Sequence, residues 1–207
     1  MISQSTPLLL ASGSPRRRDL LAALGLPLVV RAPSVDEAVH PGEGPDRYVA
    51  RVVEAKLRAA LDDLAARGDA SRFGAVLAAD TTVILDGEVL GKPASDRDGA
   101  AMLRSLSGRS HVVSTRFAVA SADGVRARAQ TVSTWVSFRA LSEGEIAAYV
   151  ATGEGRDKAG SYAVQGIGAF AVARIEGSYS NVVGLPQCEV VEALVAERLL
   201  PSFPLTP

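Results

Sequence analysis

One cysteine in 207 residues, Cys188, rules out an internal disulfide. The fold must therefore hold by burial, and a chain of this length can remove roughly 70% of its unfolded surface from water. A single thiol also fits a reducing compartment. Histidine is nearly as scarce. His40 and His111 stand alone, with no second ligand at zinc spacing. No sign of charge is in excess, since 22 Lys and Arg oppose 23 Asp and Glu for a net charge of −1. No global field then draws the chain to nucleic acid or to a membrane surface. Long apolar runs are missing as well. The longest near the N-terminus, Pro7 to Ala11, falls far short of the roughly 20 residues of a spanning helix. No basic stretch precedes it, so no signal peptide is expected and the expected location is the cytoplasm. A G-x-S-x-G elbow, a Cys–His arrangement and a GxxxxGK[ST] phosphate loop are all absent. Without repeats or low-complexity tracts, 1–207 is expected to form one domain, two lobes around a cleft, with a frayed Pro-rich tail over 201–207.

What is present alternates between strand and helix patterns. Leu8 to Ala11 suits a buried strand. Ser14 as N-cap and Pro15 at the first helical position open a short helix that Gly25 closes. Leu28 to Arg31 predicts a strand, Ser34 to Pro45 an acidic loop, and Asp46 to Ala66 a helix with Tyr48, Val49, Val52, Val53, Lys56 and Ala60 at helical spacing. Val76 to Ala79 predicts a buried strand ending at Asp80. Thr82 to Leu85 and Glu88 to Leu90 flank Asp86-Gly87, a hairpin signal. A helix is expected over Asp96 to Leu106, and long strands over Val112 to Ala120 and Ala127 to Phe138, with Trp135 in the core. Ser142 with Glu145 forms a capping box for a helix to about Thr152. Ala169 to Ile175 reads as a strand and Gln187 to Leu200 as the last helix. Adjacent β segments among alternating elements predict an α/β fold with a mixed sheet.

Four segments carry chemistry. Ser12, Ser14, Arg16 and Arg17 sit at a strand-to-helix turn, where free amides and the helix dipole favour phosphate and Arg offers a planar fork. Cations there cost about 0.3–1 kcal/mol each unless an anion meets them. Read alone, Arg16, Arg17 and Arg18 fit a phosphate site or solvated charges paired with Asp19. Asp80-Thr81 ends an apolar strand, the edge where open α/β sheets place ligands, and a carboxylate there suits metal binding or water activation. A capping or surface acid is the bland alternative. Gly91-Lys92-Pro93 fixes one lysine, suited to a phosphate or simply solvated. In 157–166, Gln165 offers a donor and an acceptor to the edge of a base, or belongs to an ordinary packed loop. Glu37 and Lys56 have no local pattern, although Lys56 interrupts an apolar helix face.

Together these segments resemble the Maf family of nucleoside triphosphate pyrophosphatases. The likeness runs through Leu10-Ala11-Ser12-Gly13-Ser14-Pro15-Arg16-Arg17, Ala79-Asp80-Thr81, Gly91-Lys92-Pro93, Leu106-Ser107-Gly108 with His111, Asp157-Lys158-Ala159-Gly160 with Tyr162 and Gln165-Gly166, and Gly177 to Pro186. The resemblance implies an inosine triphosphatase-like, two-lobed mixed sheet with substrate in the cleft. It implies hydrolysis of a nucleoside triphosphate to monophosphate and pyrophosphate with Mg²⁺ or Mn²⁺, and a homodimer. Arg16, Thr81 and Gln165 look like the dTTP/UTP branch, where the 7-methyl-GTP branch has an aromatic, Gln and Glu. Asp80 is then the expected catalytic base and a metal ligand, with Glu37 a second ligand. Ser12, Ser14, Arg17, Lys56 and Lys92 are the expected phosphate contacts. One departure is that Ala55, not an acid, precedes Lys56, with Glu54 one place earlier. A non-catalytic nucleotide-binding regulator of septum formation is the alternative.

Overall fold

The computed structural model describes residues 1–205. Four consecutive buried residues form β1 (Leu8–Ala11). A strand apolar on both faces needs cover on both, and β1 lies inside the sheet, parallel to β2 (Leu28–Val30) on one side and β3 (Ala75–Leu85) on the other. Two helices connect these strands. Ser14 caps α1 (Pro15–Ala23) and accepts the Arg17 amide, and Gly25 beyond its end has φ +71°. The long helix α2 (Pro45–Arg67) ends on left-handed Gly68.

Asp86 and Gly87, at φ +53° and +84°, turn β3 back into β4 (Glu88–Leu90), as a two-residue hairpin requires. After α3 (Asp96–Leu106) the chain becomes antiparallel. β5 (Ser110–Ala120) pairs with β3, β6 (Ala127–Phe138) with β5, and β7 (Val172–Glu176) with β6. The expected mixed α/β architecture is thus the one adopted, a seven-stranded sheet of order β2-β1-β3-β5-β6-β7 with β4 on β3. Helix α4 (Glu143–Ala151) starts on the full capping box of Ser142 and Glu145. Short α5 (Tyr179–Val183) and α6 (Gln187–Ala196) follow β7.

Three buried clusters define two lobes. Ala75, Leu77 and Ala79 of β3 pack with α1 and α6. Val76 and Ala78, on the other face, pack with Val53, Ala60 and Leu64 of α2. The second lobe gathers Val83 and Leu85 with α3, α4, β6 and the 3-10 turn at Ile167–Ala171. β3 therefore runs through both lobes.

Several sequence expectations are corrected. The strand does not stop at Asp80, because β5 pairs with β3 continuously from Val76 to Ile84. Residues 169–171 belong to a 3-10 turn, not a strand, since the Ile167 and Gly168 amides bind the Glu154 carboxylate and sheet pairing begins only at Val172. α6 ends at Ala196. Arg198 turns left-handed, the Leu199 and Leu200 amides return to the Leu194 carbonyl, and both leucines are buried. Trp135 is 54% exposed, because strand alternation turns Thr134 and Val136 inward and Trp135 outward. In the tail, residues 201–204 are exposed, while Leu205 packs against the first core cluster. Thr206 and Pro207 lie outside the described residues.

Candidate active site

A gap in strand pairing creates the site. β1 accompanies β3 only to Ala78, and β4 takes up the same edge only from Val83. Ala79 to Thr82 are left with one free edge, and a cleft of about 480 Å³ opens there. That is ample for a small ligand. Alternation along β3 then sends Asp80 to the α2 face with Val76 and Ala78, and Thr81 to the α1 face with Leu77 and Ala79.

On the α2 face stands Lys56. It continues the buried stripe of Val49, Val52, Val53, Ala60 and Leu64, and is itself buried. A buried ammonium must be paired. Lys56 Nζ lies 2.8 Å from Asp80 Oδ1 and 2.7 Å from Glu37 Oε1, so one cation holds two carboxylates that are 43 residues apart (80 − 37). Burial pushes the Glu37 carboxyl up, but the Lys56 hydrogen bond and charge, with Lys92 and Arg17, hold it below its ordinary value. The Tyr48 hydroxyl donates to the Glu37 carbonyl oxygen at 3.3 Å. Burial and then the charges of Asp80 and Glu37 push that phenol up to about 12.

On the α1 face Arg17 is turned inward and buried. Its Nε donates to the Gly184 carbonyl at 2.8 Å, Nη1 to Ser12 Oγ and the Ala79 carbonyl at 2.9 Å each, and Nη2 to Thr81 Oγ1 at 3.0 Å. Four of the five N–H donors of a guanidinium are thus spent on protein. Arg17, expected from the sequence as a phosphate contact, also braces the turn, β3 and the end of α5, with one N–H left over. Burial holds its guanidinium below the ordinary value, partly offset by Asp80. The three arginines diverge. Arg16 faces the cleft, 3.7 Å from Asp157, while Arg18 pairs at the surface with Asp19 at 2.7 Å.

Ser12 and Ser14 line the cleft and also hold their own turn, Ser12 Oγ taking the Ser14 amide at 3.3 Å and Ser14 Oγ the Arg17 amide at 3.5 Å. Lys92 and Gln165 both line the cleft and are exposed, and neither side chain has a hydrogen-bond partner among the described residues. Thr81 Oγ1 is shared among Arg17, Thr115 at 2.8 Å and the Gly184 carbonyl at 3.3 Å. The cleft therefore gathers every residue expected from the sequence: Ser12, Ser14, Arg16, Arg17, Glu37, Lys56, Asp80, Thr81, Lys92 and Gln165.

It adds Tyr48, Asp157, Lys158 and Tyr162. The last three lie in the small-residue segment that already marked the sequence, whereas Tyr48 has no signal beyond the apolar stripe of α2. Tyr162 is held from behind by buried His111, whose Nε2 is 2.8 Å from the phenol oxygen. Burial lowers His111 to about 4, so it is neutral.

Comparison with known proteins adds an independent line. A family model described as Maf-like protein matches residues 7–197. A dTTP/UTP pyrophosphatase of Desulfotalea psychrophila is 48% identical over 189 residues, 91% of this chain and 93% of that protein. One from Anaeromyxobacter dehalogenans is 52% identical over 190 residues, covering 90% and 92%. A crystal structure of a nucleoside-triphosphatase / dITP/XTP pyrophosphatase from Mycobacterium abscessus overlaps 63% of this chain and 73% of that chain at 18% identity, with a TM-score of 0.34.

Proposed function

The chain belongs to the Maf family, and on that premise we propose that it is a nucleoside triphosphate pyrophosphatase acting on dTTP and UTP and releasing pyrophosphate and the nucleoside monophosphate. The observation that carries this reading is the Glu37–Lys56–Asp80 triad in a cleft that also holds Arg16 and Lys92. Lys56 occupies Asp80 Oδ1, which leaves Oδ2 to accept a proton from water. The water oxygen bonds to the α-phosphorus, the bond from that phosphorus to the bridging oxygen breaks, and the oxygen leaves with pyrophosphate. Charge grows on the phosphate oxygens as this happens, and Arg16, Lys56, Lys92 and the last free N–H of Arg17 are the groups available to meet it. Gln165, with no partner of its own, offers both a donor and an acceptor to a pyrimidine edge. The names of the similar proteins support the same substrate class.

The donor set also fits a divalent cation. Asp80 Oδ2 and Glu37 Oε2 have no hydrogen-bond partner among the described residues, and both are hard oxygen donors. Among those residues no group of three or more His, Cys, Asp or Glu is placed to hold a metal. Two carboxylates suit an ion that arrives with the triphosphate rather than one caged by protein alone. Mg²⁺ or Mn²⁺ held by Asp80 and Glu37 would supply charge neutralisation and a more acidic bound water. Family membership further supports a cytoplasmic homodimer, which sedimentation of the purified protein checks on the second count.

A panel of nucleoside triphosphates read by pyrophosphate release with added Mg²⁺ tests the proposal. UTP and dTTP should lead. Asp80→Asn should lower kcat by about 10²–10⁴-fold or more, the usual worth of a general base, while UMP binding changes little. Activity confined to 7-methyl-GTP, or near-normal UTP turnover by the variant, would remove the reading.

A further inference from the structure

Two side chains behind the cleft hold the segment that carries Gln165 from both ends. Glu154 stands in the turn after α4. Its Oε1 accepts the Ile167 amide at 2.9 Å and its Oε2 the Gly168 amide at 2.8 Å. The same Oε2 accepts the Tyr149 hydroxyl at 2.8 Å, and that hydroxyl accepts the Ala163 amide at 3.2 Å. Amides on both sides of Val164-Gln165-Gly166 therefore end on one carboxylate–phenol pair. Neither Glu154 nor Tyr149 lines the cleft. Tyr149 belongs to the core of the second lobe, so the anchor is built on packed structure.

Gly166 completes the arrangement. It has φ +87° and ψ −148°, a conformation reserved for glycine, and a Cβ there would collide with Glu154 Oε1. The carboxylate and the loop have fitted against each other with no room between them. Burial pushes Glu154 up, but the two amides and the Tyr149 hydroxyl hold it below its ordinary value, so it stays an acceptor near neutral pH.

We propose that Glu154 and Tyr149 are positioning residues for nucleobase selection, fixing the height and orientation at which Gln165 meets the base. This rests on the reading that Gln165 addresses the base of a pyrimidine nucleotide. The pair touches no phosphate-facing group through its side chains, so it should govern which base is accepted and not how the triphosphate is gripped.

The test uses Glu154→Gln, which keeps the size but can accept from only one of the two amides, and Tyr149→Phe, which keeps the ring and removes the hydroxyl. Four quantities are measured: kcat and KM for UTP and for GTP, the inhibition constant of inorganic tripolyphosphate, which has phosphates and no base, and hydrogen exchange of the amides in 163–168. In both variants the UTP-over-GTP ratio of kcat/KM should fall about tenfold, mostly through KM for UTP. Exchange at Ala163, Ile167 and Gly168 should accelerate about tenfold or more. Tripolyphosphate inhibition should stay within about twofold, because the phosphate-facing cations are untouched. Gln165→Ala should lower the ratio with exchange unchanged.

A wild-type protein inert toward UTP sinks the underlying reading, and the proposal falls with it. An active wild type, with selectivity reduced in Gln165→Ala but intact in Glu154→Gln and Tyr149→Phe, overturns the clamp alone. Joint loss of selectivity and tripolyphosphate affinity in the two clamp variants overturns it as well, because that pattern marks collapse of the whole cleft.

Discussion

Arginine in the first turn of a helix is electrostatically unfavourable unless something negative or dipolar meets it. At Arg17 the answer is two carbonyls and two hydroxyls, from its own turn and from two distant segments. A lysine could not reproduce this, because a point ammonium with three donors cannot span four acceptors arranged around a planar fork. Arg17→Lys should therefore leave buried carbonyls unpaired and cost about 2–4 kcal/mol, read as a lower urea midpoint at constant slope. Turnover should fall too, since the brace includes the carbonyl of Ala79 next to Asp80. Unchanged stability would mean that water replaces the guanidinium. Lys56 shows the matching limit of sequence reading. Its place in an apolar stripe was visible, but the reason for it, two carboxylates from a loop and a strand, was not.

Among the elements, those fixed by local chemistry were legible. The N-cap of α1, the Asp86-Gly87 hairpin and the capping box of α4 each follow from residues within one turn of the feature. The box gives a clean test. Ser142→Ala should destabilise the protein by about 1 kcal/mol. It should leave kcat for UTP within about twofold, since the cap lies away from the cleft and the pairing of Glu154 survives at the other end of α4. A loss of turnover without loss of stability would tie the start of α4 to the site. Elements fixed by distant partners were misread. β3 passes through Asp80 because β5 pairs along its whole length, and 169–171 cannot join the sheet while Glu154 holds the amides just before them.

Across the whole molecule, stability should decline with acid. In the folded chain His111 stays neutral down to about pH 4, whereas the unfolded chain protonates it near 6.5. Between those values the unfolded state binds a proton that the folded state refuses, so stability is full above about pH 6.5 and lost as the pH falls toward 4. That separation corresponds to about 3 kcal/mol. Glu37, held below its ordinary 4.5, adds loss of the same sign below that pH. Urea midpoints at pH 7 and 4.5 should drop for the wild type and drop less for His111→Gln. Parallel declines would clear His111 of the role.

Local sequence settled the mixed α/β class and most helix and hairpin boundaries, because periodicity, caps and turn chemistry act over a few residues. The set of residues that meet in the cleft followed instead from the resemblance of several segments to the Maf family, since Glu37 and Lys56 carry no local pattern. Only the tertiary structure decided what each of those residues does there. Whether a charge faces solvent, another charge or a backbone carbonyl depends on segments brought together across the sheet. That is why Arg17 became a brace while Arg16 kept to the cleft, why Trp135 faced outward, and why a glutamate outside every recognised segment came to hold the loop of Gln165.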